Sequence, residues 1–311
     1  MTAGFAVPTA AALAAVFAGS ALAAAICWRL AGSRMRRPRW MRENARGKPI
    51  FGCSGLLVVA VGVGATALVA VMAYRSGTAG AAPARTSHSF ANAGAIGAAA
   101  AGLALAVFGW LGYRDDTRGE GESGGFLAHI RRSWRRRRLT TGLHKAVGGG
   151  AAALLCVQAG LFGSTVALVP LLRGAAITAL SANLLNLFDR APGRATKVAL
   201  VWWLIGLAPV AATWPTWQSP ALWAAGAAGA SVGLLGSEMR EAHMQGDTGV
   251  NATGAVLGLA SVAMASAAWE WLLLAVLSAL NLASERWSFS RVIGAVPLLR
   301  WLDRLGSPCR I

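Results

Sequence analysis

Met1 to Ile26 carries no charged residue, and an apolar stretch of that length folds most readily as a helix across a bilayer. Further apolar stretches follow at about 51–74, 90–113, 146–168, 172–189, 197–214, 220–237, 250–268 and 271–287. Together they predict an all-α polytopic membrane protein of about nine transmembrane helices. Two of the divisions, near Pro170 and Arg173 and at Trp269-Glu270-Trp271, each split a long apolar run. The apolar residues make up 56% of the chain and the charged ones 13%. That balance excludes a disordered chain and disfavours an ordinary soluble enzyme, in which about a quarter of residues are charged. Thirty-eight glycines suit close helix packing, and thirteen tryptophans suit the bilayer interface. The four cysteines are too scattered for a disulfide framework or a zinc site.

The net charge of +17 is distributed by loop. With nine spans, the segments 28–50, 114–145, 189–197, 238–249 and 284–311 hold 26 of the 29 Lys and Arg, leaving Arg75, Arg85 and Arg173 on the other side. Basic residues collect on the cytoplasmic side. The split predicts an N-terminus outside, a C-terminus in the cytoplasm and a multi-pass protein of the cytoplasmic membrane. The basic run Arg29 to Arg39 follows the first apolar stretch instead of preceding it, so that stretch reads as an uncleaved span. The runs Arg34 to Arg42 and Arg131 to Arg138 fit membrane headgroups or an anionic lipid substrate, at about 1 kcal/mol per charge. Nucleic acid is not an expected partner, because no folded cytoplasmic domain is present to read bases.

Eleven of the twelve acids lie on the basic side, with Glu270 as the exception. Acids contribute little to orientation, so a site on that face is the better explanation. Three clusters sit at span ends: Tyr113-Arg-Asp115-Asp116, Asn183-Leu-Leu-Asn186-Leu-Phe-Asp189 and Gln245-Gly-Asp247-Thr-Gly-Val-Asn251. The i, i+3, i+6 spacing of Asn183, Asn186 and Asp189 predicts one helix face. Hard oxygen donors on several helices, with room for water and phosphate, are what Mg²⁺ prefers. The simpler alternatives are solvated loop charges at Asp115 and Asp116, and a helix N-cap at Asp247.

The ordered set resembles the polyprenyl-phosphate N-acetylhexosamine-1-phosphate transferase superfamily, which includes phospho-N-acetylmuramoyl-pentapeptide transferase. Trp110 to Asp116 is similar to the Asp-Asp element that ends the family's third span. Asn183, Asn186 and Asp189 are similar to the Asn-x-x-Asp-x-x-Asp element of the fifth, and Gly246, Asp247 and Gly249 to the Gly-Asp-x-Gly element of the eighth. Asn44 to Gly52 is similar to the family's basic Pro/Gly loop. The resemblance implies transfer of a sugar 1-phosphate from a UDP-sugar to a polyprenyl phosphate, with release of UMP and a requirement for Mg²⁺. It further implies that Asp247 holds Mg²⁺, that Asp189 acts near the nucleotide diphosphate and that Asp115 or Asp116 assists the attacking lipid phosphate. Lys48, Asn183 and Asn186 would bind substrate; which Asp is the base stays open, as does a homodimer.

The chain departs from the family at Asn186, where an Asp is usual, and at Leu282 to Arg291, where a His-rich motif is usual and no His occurs. His129, His144 and His243 are the candidate replacements. The departures leave a second expectation: a non-catalytic lipid-carrier or nucleotide-sugar binding protein that partners an envelope enzyme or flippase. A transporter is the weakest reading, because no repeated halves are visible. Residues 1–288 form the predicted transmembrane bundle. Residues 289–311 form an interfacial amphipathic segment with a helix from Pro297 to about Gly306 that lies over the site and contacts membrane lipids.

Overall fold

The computed structural model describes residues 9–35, 37–44, 47–76, 94–118, 141–162 and 167–306, with side chains of 141–146 left aside. His88 and His129 lie outside these residues. The described helices are α1 (Thr9–Ala31), α2 (Gly55–Arg75), α3 (Ala95–Arg118) and α4 (Thr141–Val157), which runs on through a wide π turn at Gln158–Phe162. They continue with α5 (Leu168–Phe188), α6 (Arg194–Ala211), α7 (Ala221–Met239), α8 (Gly246–Met264) and α9 (Ala267–Ser284). Two short helices close the chain, α10 (Phe289–Ala295) and α11 (Pro297–Arg304).

Six of these helices, α1, α2, α3, α5, α6 and α9, are long and apolar enough to cross a membrane. The chain is therefore an all-helical, polytopic membrane protein. Helices α7 and α8 are instead the most enclosed: nearly every residue of α8 is buried, and it packs on α5, α3, α2 and α7. Small residues permit this. A Cβ on Gly112 of α3 would collide with the backbone of Asp247 and Thr248, and one on Gly254 of α8 would lie 2.6 Å from the carbonyl oxygen of Ser181 in α5. With lipid as the competing solvent, such close backbone approach supplies the dispersion contacts that hold helices together.

In α6 the ladder widens into a π turn at Trp202–Leu207, which ends two residues before Pro209. Proline has no N–H and its ring clashes with the carbonyl four residues back, so the wide turn relieves that position.

Two span boundaries differ from the sequence expectation. Helix α5 begins at Leu168, so Pro170 occupies its first turn, where the missing N–H costs nothing, and Arg173 is a buried helix residue and not part of a loop. The break before α9 falls at extended Ala265 and Ser266, not at Trp269-Glu270-Trp271. Glu270 thus sits in the first turn of α9, where the helix dipole favours an acid. Its Oε2 accepts a 2.7 Å hydrogen bond from Arg173 Nε, with both side chains almost wholly buried, and the guanidinium lies over the Trp271 ring.

The loop between α1 and α2 folds into a hairpin, β1 (Met41–Glu43) antiparallel to β2 (Pro49–Phe51). It docks on the segment that leads into α8: Met244 N–H donates to Phe51 O, Ser54 N–H to Met244 O and Gly55 N–H to Gln245 O. Phe51 is fully buried against Trp28 and Trp40. The hairpin therefore fixes where α8 begins.

Candidate functional site

Four helix ends converge where the acidic clusters lie: the C-terminal ends of α3 and α5, the N-terminal end of α8 and the C-terminal end of α7. The first four N–H groups of any helix lack intrahelical acceptors. At α8, Asp116 of another helix accepts from two of them. Its Oδ1 accepts from Asp247 N–H at 3.0 Å, and its Oδ2 accepts from Thr248 N–H at 2.9 Å and Thr248 Oγ1 at 2.6 Å. The carboxylate also complements the positive end of the α8 dipole. The adjacent Gly246 has φ +66, and a Cβ there would stand 2.7 Å from Asp116 Oδ2, so only glycine admits this approach.

Asp247, in the first turn of α8, accepts a 3.2 Å hydrogen bond on Oδ2 from Asn186 Nδ2 of α5. One turn further on, Asn251 is buried at 3% exposure, and its Nδ2 has no hydrogen-bond partner among the described residues. Positions i and i+4 share a helix face, so this donor lies on the Asp247 side of α8.

Asp189 follows directly on α5, as its C-cap. Part of the residue is accessible, but the carboxyl itself is enclosed by protein, and that desolvation pushes its pKa well above the usual carboxylate range. The negative neighbours Glu238, Asp247 and Asp116 push it the same way, and Arg190 opposes them. Glu238, 1% exposed, accepts from Thr196 Oγ1 and Gln245 Nε2, both at 3.3 Å, while Gln245 Nε2 also donates to Thr196 at 2.7 Å.

The structure therefore brings together Asp116, Asn186, Asp189 and Asp247. Asp115 is half-buried beside Asp116. Asn183 meets a different neighbour: its Nδ2 donates to Asn281 Oδ1 of α9 at 2.6 Å, whereas Asn186 donates to Asp247. Lys48 sits exposed beside the hairpin turn, where its backbone N–H donates to Asn44 Oδ1; its ammonium makes no ion pair or hydrogen bond among the described residues. His243 is buried between Ser54 Oγ and Ser237 Oγ, each 2.8 Å from a ring nitrogen. Sequence reasoning missed the roles of Thr248, Glu238 and Thr196. An acid in the last turn of an otherwise apolar helix is the signal by which Glu238 could have been found.

Helices α10 and α11 close over the same end of the bundle. Arg194, the first residue of α6, forms a bidentate pair with Asp303 at 2.7 and 2.9 Å and donates to Ser290 Oγ. Lys197 Nζ donates to the Asp303 carbonyl oxygen at 2.6 Å, and Phe289 stacks on Phe188, the residue before Asp189.

Among the described residues no group of three or more His, Cys, Asp or Glu side chains stands ready to hold a metal ion. Mg²⁺ does not require one, since it keeps several waters and commonly takes one or two carboxylates together with substrate phosphates. Both oxygens of Asp116 are engaged by α8, which leaves Asp247 and Asp189 as the fitting donors. No family model matches the chain, and no curated protein is significantly similar to it in sequence.

Proposed function

We propose that the protein transfers a sugar 1-phosphate from a UDP-sugar to a polyprenyl phosphate at the cytoplasmic face of the cell membrane. The observation that carries this reading is the gathering of Asp189 and Asp247 with Asn186 around the α8 N-terminus, where three acids and, among the described residues, the cation Arg190 act on Asp189. Phosphoryl transfer depends on positioning and on neutralising charge, with little covalent work for the protein. In this reading the bundle has nine spans, the N-terminus is outside, and the acidic end faces the cytoplasm, where both substrates are found.

Asp247 and Asp189 would hold Mg²⁺, which when bound would neutralise diphosphate oxygens. Asn186 and the Nδ2 of Asn251 would orient phosphate or uridine oxygens as hydrogen-bond donors. Asp116 works through position: by gripping the first N–H groups of α8 it fixes Asp247. Asp115, half-buried beside Asp116, would assist the lipid phosphate. Helices α10 and α11, held by Arg194, would exclude water from the reacting end.

The purified chain, given UDP-N-acetylglucosamine, undecaprenyl phosphate and Mg²⁺, should release UMP. Asp247→Asn should cut release by about a hundredfold or more, the scale of losing a preorganised electrostatic group. Absence of UMP across a panel of UDP-sugars, or indifference to Asp247→Asn, would overturn the transferase reading.

A second reading, a non-catalytic binder of the lipid carrier or nucleotide sugar, is favoured by Asn186 in place of an acid and by the structural engagement of both Asp116 oxygens. Saturable nucleotide-sugar binding without UMP would select it.

A further inference from the structure

A cavity of about 670 Å³ opens between the last turns of α1 and α7, and no carboxylate is in its lining. Gly32, Gly233 and Gly236 are part of its lining, with room over Gly236, and Trp28, Arg29, Ser33 and Arg240 supply the chemistry. The volume falls in the range of small-molecule sites.

Its wall is built and held. Trp28 packs edge-on against His243 at 4.2 Å, and that ring is fixed between two serines. Arg29 and Arg240 are both exposed to the cavity side of the bundle, and neither guanidinium has a hydrogen bond or ion pair among the described residues. The acids nearest in sequence are committed elsewhere. Glu238 turns to Thr196 and Gln245, and Glu241 accepts from Asn44. No carboxylate lines the cavity.

Two guanidiniums around one cavity without a carboxylate call for an anion, and their planar forks match phosphate oxygens. The same stretch of α1 shows what the anion is attached to. Leu22, Ile26 and Leu30, at i, i+4 and i+8, form an exposed apolar stripe that leads to the cavity mouth. We propose that this cavity binds the phosphate of an anionic glycerophospholipid, with Arg29 and Arg240 on the phosphodiester, Ser33 donating a further hydrogen bond and an acyl chain lying along the α1 stripe. The site is separate from the carboxylate cluster and does not depend on the transferase reading.

The test uses the purified full chain in detergent, with lipid retention read by native mass spectrometry. Phosphatidylglycerol should be retained about tenfold over phosphatidylcholine, as expected of paired charge-assisted contacts. Arg29→Gln with Arg240→Gln should abolish the preference, Arg29→Lys with Arg240→Lys should keep only part of it, and the equal charge change Arg300→Gln with Arg304→Gln should leave it intact. Equal retention of both lipids by the native chain would overturn the proposal. So would an equal loss in the α11 pair, which would indicate general attraction to charge. Displacement of the lipid by millimolar inorganic phosphate would assign the cavity to free phosphate and overturn the lipid form. Because UMP release is not the readout, failure here is distinguishable from failure of the transferase reading.

Discussion

Two buried polar regions of the bundle handle charge in opposite ways. Between α5 and α9, Glu270 meets Arg173 one to one, 2.7 Å apart and sealed from solvent. Around the start of α8, Asp116, Asp247 and Glu238 accept hydrogen bonds from backbone N–H groups, hydroxyls and amides, all three act on Asp189, and Arg190 is the one cation among the described residues that opposes them there. A fold that needs a charge only for its own cohesion neutralises it within the structure, as a matched pair. One that leaves several acids with neutral partners maintains a field that an incoming cation can relieve. The first region therefore reads as architecture and the second as a site.

The contrast can be broken most forcefully at the matched pair. Glu270→Ala strands the Arg173 guanidinium in apolar surroundings and should cost about 3–5 kcal/mol, whereas Arg173→Met combined with Glu270→Leu should recover most of it. Unfolding curves in mild detergent would measure both; a single variant as stable as the native chain would mean that the pair holds nothing together.

Asp116→Ala removes three hydrogen bonds to the start of α8 and should cost about 2–3 kcal/mol, less than the ion pair because water and the remaining polar groups can reach that end. The same unfolding curves test it, and a negligible change would remove Asp116 from its positioning role. Asp303→Ala releases α11 from Arg194, a partly exposed pair, for about 1 kcal/mol. The readout is faster proteolytic cleavage within 289–306, and unaltered cleavage would show that the Arg194 contact does not hold the segment down.

The last effect is a dependence on pH. Asp189 binds its proton more tightly in the folded chain than the ordinary carboxylate value of about 3.9. Its contribution to stability is whole below that value and is lost as pH rises through the higher folded one. Asp189→Asn mimics the neutral form throughout, so it should be more stable than the native chain at neutral pH, with the gap closing as the solution is acidified. A gap independent of pH would mean that neither burial nor the neighbouring acids hold the Asp189 carboxyl above its ordinary value.

Hydropathy made the helical stretches legible, because the bilayer requires their length and apolar character. Pro297 and Gly306 marked α11 because each has a backbone preference that acts locally. The pairing of Arg173 with Glu270 was not legible: each residue looks like a loop charge until the helix axes are known. The neighbour of Asn183 was hidden for a related reason, since helical spacing gives a face but not what it meets, and here that is Asn281. Asp116 was recognisable as a member of a cluster. That both its oxygens serve the first turn of another helix depends on the Gly112 approach of α3 to α8, which no local pattern reveals.

That approach has a mechanical consequence. Gly112 presses on the backbone of Asp247 and Thr248, Gly55 meets Gly249, and Gly254 lies against Ser181, so α3 and α2 lock the first turn of α8 and α5 locks it further along. A helix keyed on three sides can neither slide nor turn without prying its neighbours apart. Rocking of half the bundle against the other half, the movement on which alternating access depends, would have to break all three keys. The core is suited to act as a fixed anvil, with ligands and the peripheral α10 and α11 supplying the motion.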